Sequence, residues 1–189
     1  MCRFFSKPRN AEWGEAQDAM GRAAEVFEQV LDTLTTGKVG VLVRPSEDQD
    51  AVQAKAELER ALAHLKSSDA PRWEVELDDS EHPHPWIIVQ DSGLPGLANS
   101  TRIVGETLTA VGIGPRVLAA VYPFMWKGQK IYWIYQPRIR AFTPFAPAPD
   151  GPQETRDHPL ELRMEQASRR DIPTSRAIKE WYPIWGLPF

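Results

Sequence analysis

Gly112-Ile-Gly-Pro115, then Val117-Leu-Ala-Ala-Val-Tyr-Pro-Phe124, a polar turn at Lys127-Gly-Gln129, and Ile131-Tyr-Trp-Ile-Tyr135 form the stretch whose reading decides the fold. It closes with Phe142-Thr-Pro-Phe-Ala-Pro147, and no other part of the chain is as dense in aromatic and β-branched residues. Such residues fit a pleated, buried surface. Two runs separated by a short glycine-containing turn read as a β-hairpin, with strands over 116–124 and 130–136 and a turn at 126–129. A further edge strand is expected over Arg138–Thr143, where Arg138 and Arg140 alternate with Ile139 and Phe142. That alternation is either a basic stripe beside aromatics or the charged solvent face of an edge strand, and the second reading is favoured.

Upstream, apolar residues at Ala16, Met20, Ala23, Phe27, Val30, Leu31 and Leu34 follow a helical period and predict an amphipathic helix over 12–35. Val39-Gly-Val-Leu-Val43 reads as a strand with both faces covered. A second helix is expected over 49–66, capped by Ser46 or Asp48. Trp73, Val75 and Leu77 alternate with charged residues, which is the period of a half-exposed strand. With Trp86-Ile-Ile-Val89 they suggest a second hairpin. Its acidic loop carries Asp78, Asp79, Glu81, His82 and His84, and is read as solvated, because a proline stiffens the chain after each histidine. A third helix is expected from a cap at Asn99 or Ser100 to about Val111, stopped by Gly112 in the C′ role. A last helix runs from His158 to about Arg170, with Asp157 as its cap and Pro159 in its first turn.

Together these elements predict an α+β fold, with a mainly antiparallel sheet of about five or six strands, packed helices and an aromatic C-terminal arm. The expected organisation is a flexible basic arm over 1–11, one domain over 12–170, and the arm 171–189 packed on it. That arm contains Trp181-Tyr-Pro-Ile-Trp-Gly-Leu-Pro-Phe189 and is too apolar to lie free in water.

Composition narrows the function classes. A net charge of −4 argues against a nucleic-acid binder driven by bulk electrostatics. The single cysteine, Cys2, cannot close an internal disulfide, which fits a reducing, cytoplasmic setting. No run approaches the ~20 apolar residues of a membrane span, so at most peripheral membrane contact is expected. The sequence contains no P-loop, GxSxG, HExxH or CxxC motif, and neither a cofactor nor a metal is expected.

The segment 112–124, with Tyr132-Trp-Ile-Tyr135, Phe142-Thr-Pro-Phe-Ala-Pro147, Arg156-Asp157 before Leu160-Glu-Leu162, and Trp181-Tyr-Pro-Ile-Trp-Gly186, resembles the PspA-associated protein PspAB family in the order and spacing of its pieces. The resemblance covers about 84–189, and more loosely the chain from Gly37. It implies an accessory protein of the phage-shock, envelope-stress system. Its implied partners are the membrane-remodelling protein PspA, a companion protein PspAA and a membrane metalloprotease. It brings no catalytic residues, and it marks Pro115, Phe124, Tyr135, Phe142, Pro144, Phe145, Trp181, Pro183 and Trp185 as core or interface positions. The candidate interface is therefore Phe142, Phe145, Trp181, Tyr182 and Trp185, with Arg138 and Arg140. Two rival readings stand beside it. One is a secretion-chaperone-like peptide-binding module. The other is an enzyme with a cleft beside Asp157, His158, Arg138 and Arg140.

Overall fold

The computed structural model describes residues 11–65, 70–78, 84–149 and 154–189. The basic arm expected over 1–11, apart from Ala11, and Asp79, Glu81 and His82 of the acidic loop lie outside the described residues.

The fold is α+β, with a seven-stranded antiparallel sheet. The strands are β1 (Thr33–Thr35), β2 (Lys38–Val43), β3 (Arg72–Leu77), β4 (Pro85–Gln90), β5 (Val117–Trp126), β6 (Gln129–Gln136) and β7 (Ala141–Phe145). Their order is β3-β4-β2-β5-β6-β7, and β1 lies end to end with β2 along the same side of β5. β5 is the longest strand and the spine of the sheet. Its Pro123 has no N–H to donate, and the break between β1 and β2 falls opposite it, where the Thr36 N–H donates to the Pro123 carbonyl at 3.2 Å. A proline inside a sheet is tolerated where the ladder is already interrupted. The β5–β6 hairpin closes through Lys127 (φ 48°) and Gly128 (φ 83°), the two left-handed residues that match the twist of a two-residue loop.

Four helices cover one face: α1 (Ala11–Arg22), α2 (Ala51–Leu62), α3 (Gly93–Ala110) and α4 (His158–Ser168). Alternate strand residues point to them, including Ile87, Val89, Ala120, Tyr122, Phe124, Trp133 and Tyr135, and form the larger core. α1 and α3 approach closely. Gly105 faces the indole of Trp13, and Gly21 lies against Ala98. Asp157 caps α4 as its position suggested, its carboxylate accepting the Leu160 N–H at 2.9 Å. Gly112, at φ 85°, ends α3, and the Ile113 N–H reaches back to the Leu108 carbonyl at 2.8 Å.

No helix lies on the opposite face among the described residues. Its apolar residues are Leu42, Trp86, Ile88, Ala119, Val121, Tyr132, Ile134 and Phe145, and they are covered by Ile184, Trp185, Leu187 and Phe189 of the C-terminal tail. The tail has no helix or strand after Trp181. Gly40 makes room for it: a Cβ there would fall 2.4 Å from Phe189 Cε1 and 2.9 Å from Trp86 Cε3. Alanine usually favours a strand interior over glycine by about 0.5–1 kcal/mol. Gly40→Ala is nonetheless expected to destabilise, by about 1–2 kcal/mol through overpacking, and to expose the tail to faster carboxypeptidase digestion. Unchanged digestion together with raised stability would contradict this packing.

Several elements differ from the sequence reading. The first helix does not run to Thr35. It breaks at Ala23, continues through a π-helical turn over Val26–Val30, and reverses at Asp32 (φ 51°) into β1. The wider turn rotates Val30 to solvent, and Leu34 is exposed on β1. The strand wins because Thr33 and Thr35 are β-branched and the segment has the end of β5 to pair with. Neither Ser46 nor Asp48 caps α2. Asp50 does, in a reciprocal capping box with Gln53. α3 starts at Gly93, well before Asn99, because a proline in the first turn needs no N–H partner and Asp91 ties the entry by accepting from Ser92 N–H and Ser100 Oγ. The edge strand begins only at Ala141, so Arg138 and Arg140 sit in the preceding turn and make no alternating stripe.

Candidate functional site

The residues singled out by sequence separate into buried and exposed sets. Phe142, Phe145 and Trp181 are buried. Phe142 packs between Tyr122 and Tyr135, with ring centroids at 6.0 and 5.1 Å. Its backbone binds the following segment, the N–H donating to the Pro173 carbonyl at 2.7 Å and the carbonyl accepting from Ser175 N–H at 2.9 Å. Phe145 meets the half-buried Trp185 edge-on at 4.9 Å. The Phe-Thr-Pro-Phe and Trp-Tyr-Pro-Ile-Trp pieces are thus in direct contact. Phe142 belongs to the larger core, whereas Phe145, Ile184 and Trp185 belong to the second, and the buried rings of Phe142, Phe145 and Trp181 are not offered to solvent.

A buried ion pair fixes this arrangement. Glu161 on α4 is fully buried, and its Oε1 accepts from Arg156 Nε at 2.9 Å and from the Ala146 N–H at 3.0 Å. Its Oε2 lies 3.0 Å from His158 Nδ1. Arg156 also donates through Nη1 to the Trp181 carbonyl at 2.7 Å, and its guanidinium lies 5.8 Å from the Phe145 ring. One guanidinium therefore joins α4 and β7 to the start of the tail. Gln136 adds a second anchor, donating from Nε2 to the Glu180 carbonyl at 2.9 Å.

Tyr182 and Arg138, both exposed, line a groove of about 690 Å³ at one end of the sheet. Its origin lies in the strand register. The β5–β6 ladder ends at Ala120↔Tyr135, and Pro137, which cannot donate to a ladder, follows. On the other side of β5 a bulge sets Leu42 opposite Ala119 and Val43 opposite Val117, so Leu118 has no counterpart. β5 and the end of β6 splay apart there. Leu42, Leu118, Ala119, Ile134 and Ile184 supply apolar walls, and Trp13 reaches the groove from α1. Leu118 is 40% exposed.

The groove is electrically one-sided. Among the described residues no carboxylate lines it, whereas Arg44 and Arg138 do. Both arginines are exposed and lack an ion-pair partner among the described residues. Nearby Arg116 differs, being held by Glu57, Ser46 and Gln49. Backbone hydrogen bonds fix both positions. Arg44 N–H donates to the Arg116 carbonyl, and Ile139 and Arg140 N–H close the turn around Arg138 onto the Gln136 carbonyl.

The four groups of the enzyme reading do not meet. Arg138 and Arg140 precede β7, whereas Asp157 binds the Ala146 carbonyl just after it. Asp157 is occupied as a helix cap and His158 is engaged with Glu161. Among the described residues no group of His, Cys, Asp and Glu side chains is arranged to hold a metal ion. The core has its own polar cluster: the Tyr122 hydroxyl donates to Gln17 Oε1 beside Thr101, and burial pushes the Tyr122 pKa well above the ordinary tyrosine range. Sequence reasoning missed Arg44, Leu118 and Trp13, which come to the groove from separate elements.

The model of the family described as PspA associated protein B matches residues 6–189. No curated protein and no solved structure matches the chain.

Proposed function

The chain belongs to the PspA associated protein B family, and from that membership we propose that it is a non-catalytic accessory protein of a PspA-type envelope-stress response, acting in the cytoplasm through protein–protein contacts. The observation that carries the reading is the groove between β5 and the β6–β7 turn. It is concave, apolar and rimmed by arginines without ion-pair partners among the described residues, and it lies beside the tail without being filled by it. Concave apolar surface with a few placed polar groups is where binding sites concentrate. No described helix is long and apolar enough to cross a membrane, and a contact with PspA needs none.

The test is a pull-down of the purified chain with PspA, with PspAA and with the membrane metalloprotease, in detergent and with lipid. Retention of PspA is the expected result. Failure to retain any of the three would end this reading. The splayed β5–β6 ladder also suits a general peptide-binding module of the secretion-chaperone type. That second reading predicts comparable retention of unrelated unfolded polypeptides, whereas the accessory reading predicts preference for PspA.

A further inference from the structure

We infer that the groove between β5 and the β6–β7 turn receives an acidic, apolar peptide segment of PspA, and that Arg44 and Arg138 are the residues that select it. The inference rests on the reading above and adds the site and the chemistry of the segment. The charges provide the first argument. The chain carries a net charge of −4, yet the groove has two arginines and no carboxylate among the described residues that line it. Arginine presents a planar fork that pairs with a carboxylate through two hydrogen bonds. Arg116 shows that the local fold readily pairs an arginine when an acid is at hand, since Glu57 takes it. Arg44 and Arg138 have no such acid among the described residues.

The second argument is shape. A slot bounded by a strand on one side and a tight turn on the other admits an extended segment and excludes a flat bilayer surface. Its apolar walls, Leu42, Leu118 and Ile134, suit bulky aliphatic or aromatic side chains. Tyr182, 56% exposed, stands beside them on the tail as an amphipathic contact of the kind common at interfaces. The slot also opens where the β5–β6 ladder has stopped, so a bound segment displaces no strand pairing with β6.

The experiment measures binding of purified PspA to the full chain and its variants by titration. Arg44→Glu with Arg138→Glu is expected to weaken binding on the order of 100-fold, about tenfold for each charge-assisted contact reversed. Leu118→Asp is expected to weaken it about tenfold. Lys127→Glu with Lys130→Glu, at the opposite end of β5 and β6, is expected to change it less than about threefold, as a rim charge does. All of these positions are exposed, and thermal melting confirms that each variant remains folded. If the arginine pair misfolds, Leu118→Asp and Tyr182→Ala read the same groove. A photo-crosslinker on Leu118→Cys, in a Cys2→Ser background, should capture a PspA peptide rich in Asp or Glu and apolar residues. Wild-type binding that survives the arginine reversal, or a captured peptide that is basic, overturns this inference and leaves the proposed function standing. Absence of binding between PspA and the wild-type chain overturns this inference, and the proposed function falls with it when PspAA and the metalloprotease are not retained either.

Discussion

The Glu161→Ala chain is expected to lose about 3–5 kcal/mol of folding stability, measured by denaturant titration. The reason is what remains behind. Glu161 is fully buried and Arg156 nearly so, with 14% of its side chain exposed. Removing the carboxylate strands a buried guanidinium and leaves the Ala146 N–H without its acceptor. Each stranded group incurs its full desolvation cost, beyond the net worth of the lost bond. Replacing both partners with apolar residues of similar volume, Arg156→Met with Glu161→Leu, is expected to recover much of the loss. A loss below about 1 kcal/mol for Glu161→Ala would show that the pair is not buried as described.

Gly105→Ala is the second large effect, and its sign is the informative part. In an exposed helix interior this change stabilises by about 1 kcal/mol. At Gly105 a Cβ would fall 2.2 Å from Cδ2 and 2.4 Å from Cε2 of Trp13. The indole has little freedom to retreat, being 3% exposed and 5.3 Å from the Tyr135 ring. The α1–α3 contact must open, at an overpacking cost of about 3 kcal/mol. Gly14→Ala, on α1 with open space around it, is the control that should stabilise. If the two variants shift the denaturation midpoint in the same direction, the close approach is not real.

These two positions bear on what could be read without the fold. The β5–β6 hairpin was legible because its period, its aromatics and its Lys-Gly turn all agree, and local agreement of that kind survives tertiary packing. The caps of α4 and α3 were legible because Asp157 and Gly112 act on their own neighbours. The end of the first helix was not. Leu34 keeps the helical period, but β5 competes for it from about 90 residues away in the chain, as the Leu34↔Met125 pairing shows. Gly105 carries no signal of its role either, since Trp13 becomes its neighbour only after α1 and α3 dock.

The candidate site shows the same division. Aromatic density at 142–145 and 181–185 correctly marks residues that meet, but density cannot distinguish a ring buried in a core from one awaiting a partner. Here the distinction depends on a sheet whose second face receives no helix among the described residues, so the tail's rings are drawn inward. Arg138 and Tyr182 were visible as candidates. Arg44 was not, because its relation to Arg138 follows from the bulge at Leu42–Val43 and the end of the β6 ladder.

The tail's construction also has a mechanical consequence. Its anchors lie at Glu180 and Trp181, which take hydrogen bonds from Gln136 and Arg156. Beyond Tyr182 it is held by rings and aliphatic groups laid on the sheet, with no ladder to the strands. A load applied along the tail would therefore peel these side chains off one after another at low force. It would then meet a stiff stop at the Arg156 clamp. The strands of the sheet, loaded lengthwise, would instead have to shear many hydrogen bonds at once. On this construction the tail-covered face would open before the sheet does, and that opening would bare Trp86 and Phe145 without unfolding the sheet.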